Sequence, residues 1–569
     1  MSGNQKDRVS ICLVQPPIED FYQTAIRNIP LGLLLIGAAL RRHSQFDVQL
    51  LDLRQAKPRK GDLPPEMSTL LPFYRGDDAS PFSLYKGYYR FGYSDREIHE
   101  LLPDRVDFFC ISSLFTTYSD TVVALIRIIR EERPGAGIIV GGGHPSVLPA
   151  HLLEAGADFV IVGEGEEAVP MLIEECRQAE PDFTRIPNLV RPEKGELLRN
   201  PVKRIANPDA LAFADYTIPG LAETRFNGKK HAMLLASRGC PNHCSFCSVH
   251  QTMGAAYRVR SVANVVREIE EKGKQGFHSF DFEDDHFGGS QGWLEELLDN
   301  LIVRYPQGEL ALQAMNGITA SNLTPELLRK MKRAGFSAVN LSLVTPNRKG
   351  QRQLRRPFDT EKFTGVVRTA WQQGLFVTAY IIIGLPDDTL AQNLASVLFL
   401  AELPCLIGPS FFYLVPGTEL FARHFAEESS PDRFRRFRSS YFPYVRDDFS
   451  RADAMTLFRI CRLINFLKEV IDEDYCPAAY QIVDEGIQVA DGLDGRQSRV
   501  TLGFALLELL IRSGKWYGTR KKRKGVYPFA EEAVSNSILA RFLEGEWSLC
   551  APRSGRCLAK GEIWACIVR

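Results

Sequence analysis

Three cysteines share one short segment of the chain, in the spacing C-x3-C-x2-C. They are Cys240, Cys244 and Cys247, among 12 cysteines in 569 residues. Random placement of the cysteines would give this triple only about 0.005 times per sequence. Soft thiolate ligands select zinc or iron–sulfur clusters. The spacing therefore predicts a metal centre that the three thiolates hold.

Two kinds of centre fit the cysteines. A structural zinc site normally has four ligands, and His243 and His250 lie close enough in sequence to complete one. A 4Fe–4S cluster held by three cysteines instead leaves one iron open to a substrate or cofactor. The cluster is the favoured interpretation. The cysteine loop directly follows a predicted strand, 231–237, and barrel enzymes carry their sites after such strands.

The elements that must position this loop are predicted from about 229 to 425. Predicted helices separate six apolar segments, which fits a partial (β/α)6 barrel of the TIM type. The predicted strands are 231–237, 279–285, 310–316, 337–344, 376–385 and 409–416.

Residues 1–180 also alternate strand and helix, which predicts an α/β domain with a Rossmann-like, doubly wound parallel sheet. Such sheets bind ligands beyond the carboxyl ends of their strands. Residues 181–228 show little periodicity and are predicted to be a linker, and residues 426–569 are predicted to be a mainly helical domain.

Composition limits the function classes. Lys and Arg together number 69, as do Asp and Glu, so charge gives no case for a nucleic acid or membrane partner. The longest apolar stretches, such as 31–40, are shorter than the ~20 residues of a membrane span, and the N-terminus lacks signal-peptide features. We therefore expect a cytoplasmic protein whose cysteines are thiols or metal ligands. Cys550, Cys557 and Cys566 are expected to be free thiols.

The cysteine segment resembles the signature of the radical S-adenosylmethionine (SAM) superfamily, with Phe246 at its aromatic position. The resemblance covers roughly 231–425. It implies a 4Fe–4S cluster whose open iron binds the methionyl group of SAM. One-electron reduction then releases a 5′-deoxyadenosyl radical, which abstracts hydrogen from an unactivated carbon. The implied partners are a small-molecule substrate and an external one-electron reductant of the flavodoxin or ferredoxin type.

The resemblance also implies SAM contacts. Phe246 would pack near the adenine, and Glu283 or Asp284 would bind the methionyl amino group. Asn340 or Ser342 would contact the ribose, although the family's frequent Glu-Ser pair is Leu-Val directly after Ser342. The glycine-rich element of the fifth strand adds a further position. The full set is Phe246, Glu283, Asp284, Asn340, Ser342 and Gly384.

Residues 8–178 resemble the cobalamin-binding domain that precedes the barrel in one large subclass of radical SAM enzymes. Glycines at strand ends let the backbone approach a bulky ligand. The implied cobalamin contacts are Pro17, Pro30, Gly32, Ser112, Ser113, Gly142, Gly143, His144, Gly163, Glu164 and Gly165. A nucleotide-binding or empty Rossmann-like domain is the alternative. For His144, packing and ligand contact are equally open.

A cobalt ligand from the protein is not expected. Asp284-x-His286-x-x-Gly289 matches a motif whose histidine ligates cobalt in other cobalamin proteins, but it lies in the predicted barrel, so we interpret it as coincidence. The first strand is followed by Gln15-Pro16-Pro17, without histidine. Cobalamin is therefore expected to bind base-off.

The order of the domains favours a cobalamin-dependent methylase of an unactivated carbon. In that subclass one SAM methylates cob(I)alamin, a second generates the radical, and the substrate carbon takes the methyl group from methylcobalamin. One alternative is a radical SAM enzyme of the same architecture that cyclises, rearranges or oxidises its substrate. Another is a non-catalytic, cluster-carrying scaffold.

Overall fold

The structure is a computed structural model. It describes residues 8–23, 28–306, 308–356, 358–425, 430–442, 445–483, 486–490, 492–522 and 525–568. Within these ranges, none of the helices combines the length and apolarity that crossing a bilayer requires.

The N-terminal domain is built around a seven-stranded sheet with helices on both faces. Its strands are β1 (Val9–Gln15), β2 (Ile18–Asp20), β3 (Phe46–Asp52), β4 (Arg59–Gly61), β5 (Tyr88–Phe91), β6 (Phe108–Ser112), β7 (Gly137–Gly141), β8 (Phe159–Ile161), β9 (Leu189–Glu193) and β10 (Glu196–Arg199). Its helices are α1 (Leu31–Leu40), α2 (Asp95–Leu101), α3 (Ser119–Glu132), α4 (Gly143–Val147), α5 (Pro149–Glu154) and α6 (Ala168–Glu175).

The strand order of the main sheet is β10-β9-β8-β7-β6-β1-β3, and its five predicted strands, β1, β3, β6, β7 and β8, are parallel. The predicted doubly wound sheet is confirmed. The predicted linker is wrong in part, because β9 and β10 extend the sheet in antiparallel orientation. Leu189 and Val190 pair with buried β8, and a tight turn at Lys194-Gly195 makes the hairpin. Two apolar residues beside a proline-rich stretch were too short a pattern to indicate a strand.

The barrel contains nine strands and eight helices in the described residues. The strands are β11 (Arg225–Phe226), β12 (Lys229–Leu234), β13 (Ser237–Arg238), β14 (Arg258–Val259), β15 (Phe277–Phe282), β16 (Ala311–Gln313), β17 (Ala338–Val344), β18 (Phe376–Ile383) and β19 (Leu406–Phe411). The helices are α7 (Val249–Thr252), α8 (Val262–Lys274), α9 (Gln291–Arg304), α10 (Pro325–Ala334), α11 (Arg348–Gln353), α12 (Thr360–Gln372), α13 (Leu390–Ala401) and α14 (Glu419–His424).

Six of these strands form the predicted partial (β/α)6 barrel. β12, β15 and β16 pair in parallel, as do β17, β18 and β19. Two parallel bridges, Leu312 with Phe336 and Ile318 with Leu341, join the two groups. The mouth of the barrel, defined as the carboxyl end of its strands, is therefore where the loops after β12 and β15 meet. The floor is the amino end.

The C-terminal region adds helices and a sheet that was not predicted. Its elements are α15 (Arg451–Asp472), β20 (Tyr480–Val483), β21 (Gly486–Val489), α16 (Gly495–Ser513), β22 (Tyr517–Lys522), β23 (Gly525–Ala530), α17 (Asn536–Glu544), β24 (Ser548–Cys550), β25 (Cys557–Ala559) and α18 (Lys560–Ile567). β20 to β23 form a four-stranded antiparallel sheet in the order β20-β21-β23-β22.

Lys468 docks α15 on the barrel. Its fully buried ammonium donates hydrogen bonds to the carbonyl oxygens of Leu400, Leu403 and Cys405, at 2.9, 2.7 and 2.8 Å. These carbonyls lie at and just beyond the C-terminus of α13, where a cation is favoured. Burial lowers the pKa of Lys468 to about 8.

The expectation of free thiols is wrong for one pair of cysteines. Cys550 and Cys557 lie directly opposite each other on the antiparallel strands β24 and β25 and form a disulfide, with their Cα atoms 4.1 Å apart. The register of a short hairpin decides this pairing, and cysteine spacing alone does not reveal it. Cys566 is free and exposed, as expected.

Candidate functional site

The three signature cysteines lie in the loop after β12 and β13 at the mouth of the barrel. The Cys247 amide donates to the Cys244 carbonyl oxygen at 3.1 Å, which closes a turn between the second and third cysteine. Burial raises the pKa of the Cys240 thiol, and the neighbouring Cys244 raises it further. The three cysteines thus belong to one short loop, and thiolates are the donors that iron–sulfur clusters use.

Arg356 contacts this turn and was missed by the sequence analysis. Its guanidinium donates to Cys244 Sγ at 3.5 Å. A cation beside a thiolate stabilises the charged form and offsets negative charge on bound metal. The position directly after α11 gave no signal, because a lone arginine beyond a short helix is common on surfaces.

The histidines of the zinc alternative face each other. The rings of His243 and His250 pack edge-to-face with centroids 4.6 Å apart, and His250 Nε2 donates to the Cys240 carbonyl oxygen at 3.0 Å. In the part of the chain that the structure describes, no three His, Cys, Asp or Glu side chains are grouped as ligands of a single metal ion.

The acidic segment after β15 supports the cysteine loop. Asp284 is buried, and its carboxylate accepts hydrogen bonds from the Ala236 amide at 2.8 Å and from Ser237 Oγ at 2.5 Å. The Asp285 carboxylate accepts from the Gly239 amide at 3.1 Å. Burial raises the pKa of Asp284 to about 7. Asp284 thus uses both oxygens to hold the Ala236 backbone and the Ser237 side chain just before Cys240, and its predicted contact with SAM stays a prediction.

The other predicted SAM contacts line the same mouth. Asn340 and Ser342 are half-buried on one face of β17, alternating with core residues. Glu283 is half-buried directly after β15. Phe246 packs on an apolar cluster that includes Leu385. The structure brings these side chains to one end of the barrel, and their contact with SAM stays a prediction.

Gly384 follows β18 with a positive φ of 77°. Its amide donates to Asn393 Oδ1 at 2.8 Å, and an added Cβ would lie 3.0 Å from the Phe449 ring. These contacts within the protein explain why a glycine is needed at this position. The predicted contact of Gly384 with SAM stays a prediction. His286, from the apparent cobalt motif, packs edge-to-face against Tyr257 in the barrel.

A buried ionic network joins the N-terminal domain to the cysteine loop. Glu164 accepts hydrogen bonds from Arg238 at 2.8 Å and from Arg258 at 2.7 Å, and Glu166 pairs with the other side of Arg238. The Glu164 side chain is 0% exposed and that of Arg238 is 4% exposed. Arg238 lies two residues before Cys240. Burial alone would lower the pKa of Arg238, but the two glutamates raise it above its usual value.

The carboxylate of Glu164 is engaged by the network, and its predicted contact with cobalamin stays a prediction. This carboxylate is occupied by two arginines of the barrel and by the Ile205 amide at 3.0 Å. Buried carboxylates require such partners. The sequence gave no signal for this role, because Glu164 and Arg238 are 74 residues apart.

The predicted glycines in the turns lie against protein atoms. Gly142 has φ of 120°, and an added Cβ would lie 2.5 Å from the Ser113 carbonyl oxygen. Gly163 lies against the Arg204 side chain. In contrast, Gly32 in the first turn of α1 is exposed and has no atom within 4 Å of an added Cβ. The set in close contact is Gly142, Gly143, Gly163 and Gly165.

Three more predicted cobalamin contacts lie at element ends. The Pro17 carbonyl oxygen accepts from Thr121 Oγ1 at 2.8 Å, Pro30 directly precedes α1, and Ser112 ends β6 half-buried. Their contact with cobalamin remains a prediction.

His144 is a packing residue in this structure. It is 1% exposed, and its Nδ1 and Nε2 lie 3.1 Å from Thr116 Oγ1 and 3.0 Å from His151 Nδ1. Burial lowers its pKa to about 3. Both ring nitrogens of His144 are therefore engaged with other side chains.

The carboxyl edge of the N-terminal sheet has features that suit a large, partly apolar ligand. Gln15 Oε1 and Ser113 Oγ are buried at the ends of β1 and β6 and find no hydrogen-bond partner among the described atoms. Next to them, Leu114 is 52% and Phe115 57% exposed. Buried polar atoms without partners and exposed apolar side chains are both unusual in a closed domain. These residues fit cobalamin, which has amide groups around a broad ring.

Two segments of the chain match models of known protein families. Residues 234–400 match the model of the Radical SAM superfamily, and residues 94–173 match that of the B12 binding domain. This protein is a radical SAM enzyme with a B12-binding domain. The family implies the 4Fe–4S cluster, SAM and cobalamin as its cofactors.

Relatives of this radical SAM enzyme include methyltransferases. It is 25% identical over 438 residues to the cytidylyl-2-hydroxyethylphosphonate methyltransferase of Streptomyces wedmorensis, covering 69% of this chain and 77% of that protein. It is 23% identical to the hopanoid C-3 methylase of Methylococcus capsulatus, covering 72% of each chain. A solved structure of the radical SAM methyltransferase TsrM from Kitasatospora setae, with cobalamin and a 4Fe–4S cluster bound, shares the fold. The TM-score is 0.58 at 18% identity, over 82% of this chain and 96% of that one.

Proposed function

We propose that this radical SAM enzyme methylates an unactivated carbon of a small-molecule substrate, with cobalamin as the methyl carrier. The observation that carries the proposal is the ionic network at the mouth of the barrel. Glu164 and Glu166, at the carboxyl edge of the B12-binding domain, pair with Arg238, two residues before the first cluster cysteine. The edge that suits cobalamin and the loop that suits the cluster therefore adjoin the same junction.

The chain's own residues have distinct tasks in this proposal. The cluster, when bound by Cys240, Cys244 and Cys247, supplies the electron that cleaves SAM. Arg356 offsets negative charge at Cys244, while Asp284 fixes the loop backbone. Asn340 and Ser342 are positioned to bind the ribose of SAM on the face of β17 that is not packed in the core.

The partners follow from the chemistry. Reductive cleavage of SAM consumes one electron, so an external flavodoxin- or ferredoxin-type donor is proposed. A low-potential donor and a labile cluster both require reducing conditions, so we also propose that the enzyme works in the cytoplasm.

Two products of SAM test the proposal without knowledge of the substrate. The full chain is reconstituted anaerobically with iron, sulfide and hydroxocobalamin, then incubated with SAM and a low-potential reductant. We expect S-adenosylhomocysteine, from methyl transfer, and 5′-deoxyadenosine, from radical formation. S-adenosylhomocysteine should require cobalamin. The Cys244→Ala variant should lose 5′-deoxyadenosine, whereas Cys476→Ala, at an exposed cysteine of the C-terminal region, should keep both products.

The alternatives give different results. A cyclase, rearrangement enzyme or oxidase of the same architecture would form 5′-deoxyadenosine without S-adenosylhomocysteine. A scaffold would form neither product. Either result would contradict the methylase.

A further inference from the structure

An open cleft of about 870 Å³ lies at the floor of the barrel. Phe376 and Leu406, the first residues of β18 and β19, line it together with α15, the start of α16 and residues 79–86. Because the strands are parallel, their first residues lie at the opposite end from the cysteine loop. The cleft is therefore separate from the radical site, and its volume is in the range of small-molecule sites.

The charged lining of the cleft is predominantly basic. Its three acidic groups, Glu469, Asp472 and Glu473, are outnumbered two to one by its basic groups. Those six basic residues are Lys86, Arg462, Arg496, Arg499, Lys521 and Arg553.

The acids are already engaged. Glu469 pairs with Arg499 at 3.2 Å, and Glu473 pairs with Arg496. Asp472 accepts hydrogen bonds from the backbone amides of Arg553 and Ser554. The acidic side of the cleft therefore has little capacity left to neutralise further cations.

Three cations form no ion pair with an acid within the described ranges. Arg462 donates to the Ser83 carbonyl oxygen and lies 5.2 Å above the Phe458 ring, neither of which is a carboxylate. Burial lowers the pKa of Arg462, and the positive charge of Arg499 lowers it further, whereas Tyr85 and Asp78 oppose the shift in part. No ion pair to a described acid joins Lys86 or Lys521. An anion in the cleft would relieve this repulsion.

The uncharged lining is partly polar, from Ser80, Ser83, Asn465 and Ser498, and partly apolar. Phe466, Leu502 and Val526 contribute to the wall, and the Arg499 guanidinium lies 5.8 Å from the Phe466 ring centroid. A ligand that satisfies both surfaces carries an anionic group on an apolar or aromatic body. A bare inorganic ion would leave the apolar wall in water.

We propose that this cleft binds an anionic small molecule with an apolar or aromatic body, at the end of the barrel opposite the radical chemistry. The proposal does not depend on methyl transfer.

Fluorescence of 8-anilinonaphthalene-1-sulfonate tests it, because this probe combines a sulfonate with aromatic rings. The full cofactor-loaded chain is titrated with the probe, and inorganic pyrophosphate is then added as an anionic competitor. We expect saturable binding that pyrophosphate displaces only at a much higher concentration than that of the probe, because it lacks an apolar body. The double variant Lys86→Gln/Lys521→Gln should bind the probe at least tenfold more weakly. Both lysines are exposed, so the fold should persist, as circular dichroism can verify.

The matched control is Lys57→Gln/Lys274→Gln, which removes two exposed lysines away from the cleft. Its affinity for the probe should equal that of the parent protein. Equal affinity in both double variants would overturn the proposal, as would displacement of the probe by pyrophosphate at a concentration equal to that of the probe.

Discussion

At the mouth of the barrel, two buried arginines meet two buried glutamates, whereas at its floor six basic residues share an open cleft with three acidic ones. The mouth pairs carry little exposed surface; the Arg258 side chain, at 10%, is the most exposed. At the floor, Lys86 and Lys521 are exposed. The same residue types are thus arranged for different purposes.

The difference follows from desolvation. A charge removed from water needs a close partner, so deleting one member of a buried pair leaves an uncompensated charge. A charge at an open cleft keeps much of its hydration and remains available to a ligand. We therefore expect substitutions at the mouth to affect stability and substitutions at the floor to affect binding.

The largest effect is expected for Glu164→Gln. The change removes the carboxylate that faces Arg238 and Arg258 and leaves both cations short of negative charge. The free energy of unfolding of the metal-free chain should fall by about 3–5 kcal/mol in urea denaturation. The control is Glu167→Gln, whose pair with Lys203 is exposed and should be worth less than about 1 kcal/mol. Equal losses of unfolding free energy in both variants would contradict the claim that buried ion pairs stabilise the mouth.

The raised pKa of Asp284, at the same mouth, predicts that the free energy of unfolding depends on pH. Its pKa of about 7 in the fold exceeds its ordinary 3.8, so the folded chain retains a proton that the unfolded chain has lost. That stabilising contribution is complete below about pH 4 and is lost as the pH rises to 7. The free energy of unfolding should therefore fall relative to Asp284→Asn, which does not titrate, by about 4 kcal/mol over this window. Parallel pH profiles of the two proteins would refute the assignment.

Phe115 tests the cobalamin edge. Phe115→Ser removes exposed apolar surface that a corrinoid would cover, and should weaken retention of cobalamin about tenfold after desalting. Stability should change little because the ring is 57% exposed. Val303→Ser, at an 83% exposed valine on α9, is the matched control and should retain cobalamin fully. Equal retention would place the corrinoid elsewhere.

The smallest effect on stability is expected at the floor. Lys86→Gln/Lys521→Gln should change the free energy of unfolding by less than about 0.5 kcal/mol, because both side chains are exposed and unpaired with described acids. A loss of several kcal/mol would mean that the floor cations stabilise the fold, as those at the mouth do.

Local pattern predicted most of the fold. The alternation of apolar strands and helices located both parallel sheets, and the spacing of Cys240, Cys244 and Cys247 indicated the candidate cluster loop. These features depend on neighbours in sequence. Prediction was wrong where a structure depends on a partner strand that the local pattern does not reveal. β9 pairs with β8 at the edge of the sheet, and Cys550 lies opposite Cys557 only because of the register of their hairpin.

For the candidate site too, the sequence predicted some features and not others. Residue types at strand ends indicated which positions reach the mouth, but they did not indicate what each side chain contacts. Asp284 and Glu164 were predicted to bind cofactors, and the structure engages them with Ser237 and Arg238. A carboxylate looks the same in sequence whether it binds a ligand or a protein backbone.

Anaerobic reconstitution tests the central claim most directly, namely that this chain binds both a 4Fe–4S cluster and cobalamin. The full chain is loaded with iron, sulfide and hydroxocobalamin, desalted, and examined by UV–visible and EPR spectroscopy beside the triple variant Cys240→Ala/Cys244→Ala/Cys247→Ala. We predict a 4Fe–4S signal upon reduction together with retained base-off cobalamin, and loss of the cluster signal alone in the variant. A cluster without retained corrinoid, or a chain that binds zinc but no iron–sulfur cluster, would contradict the account.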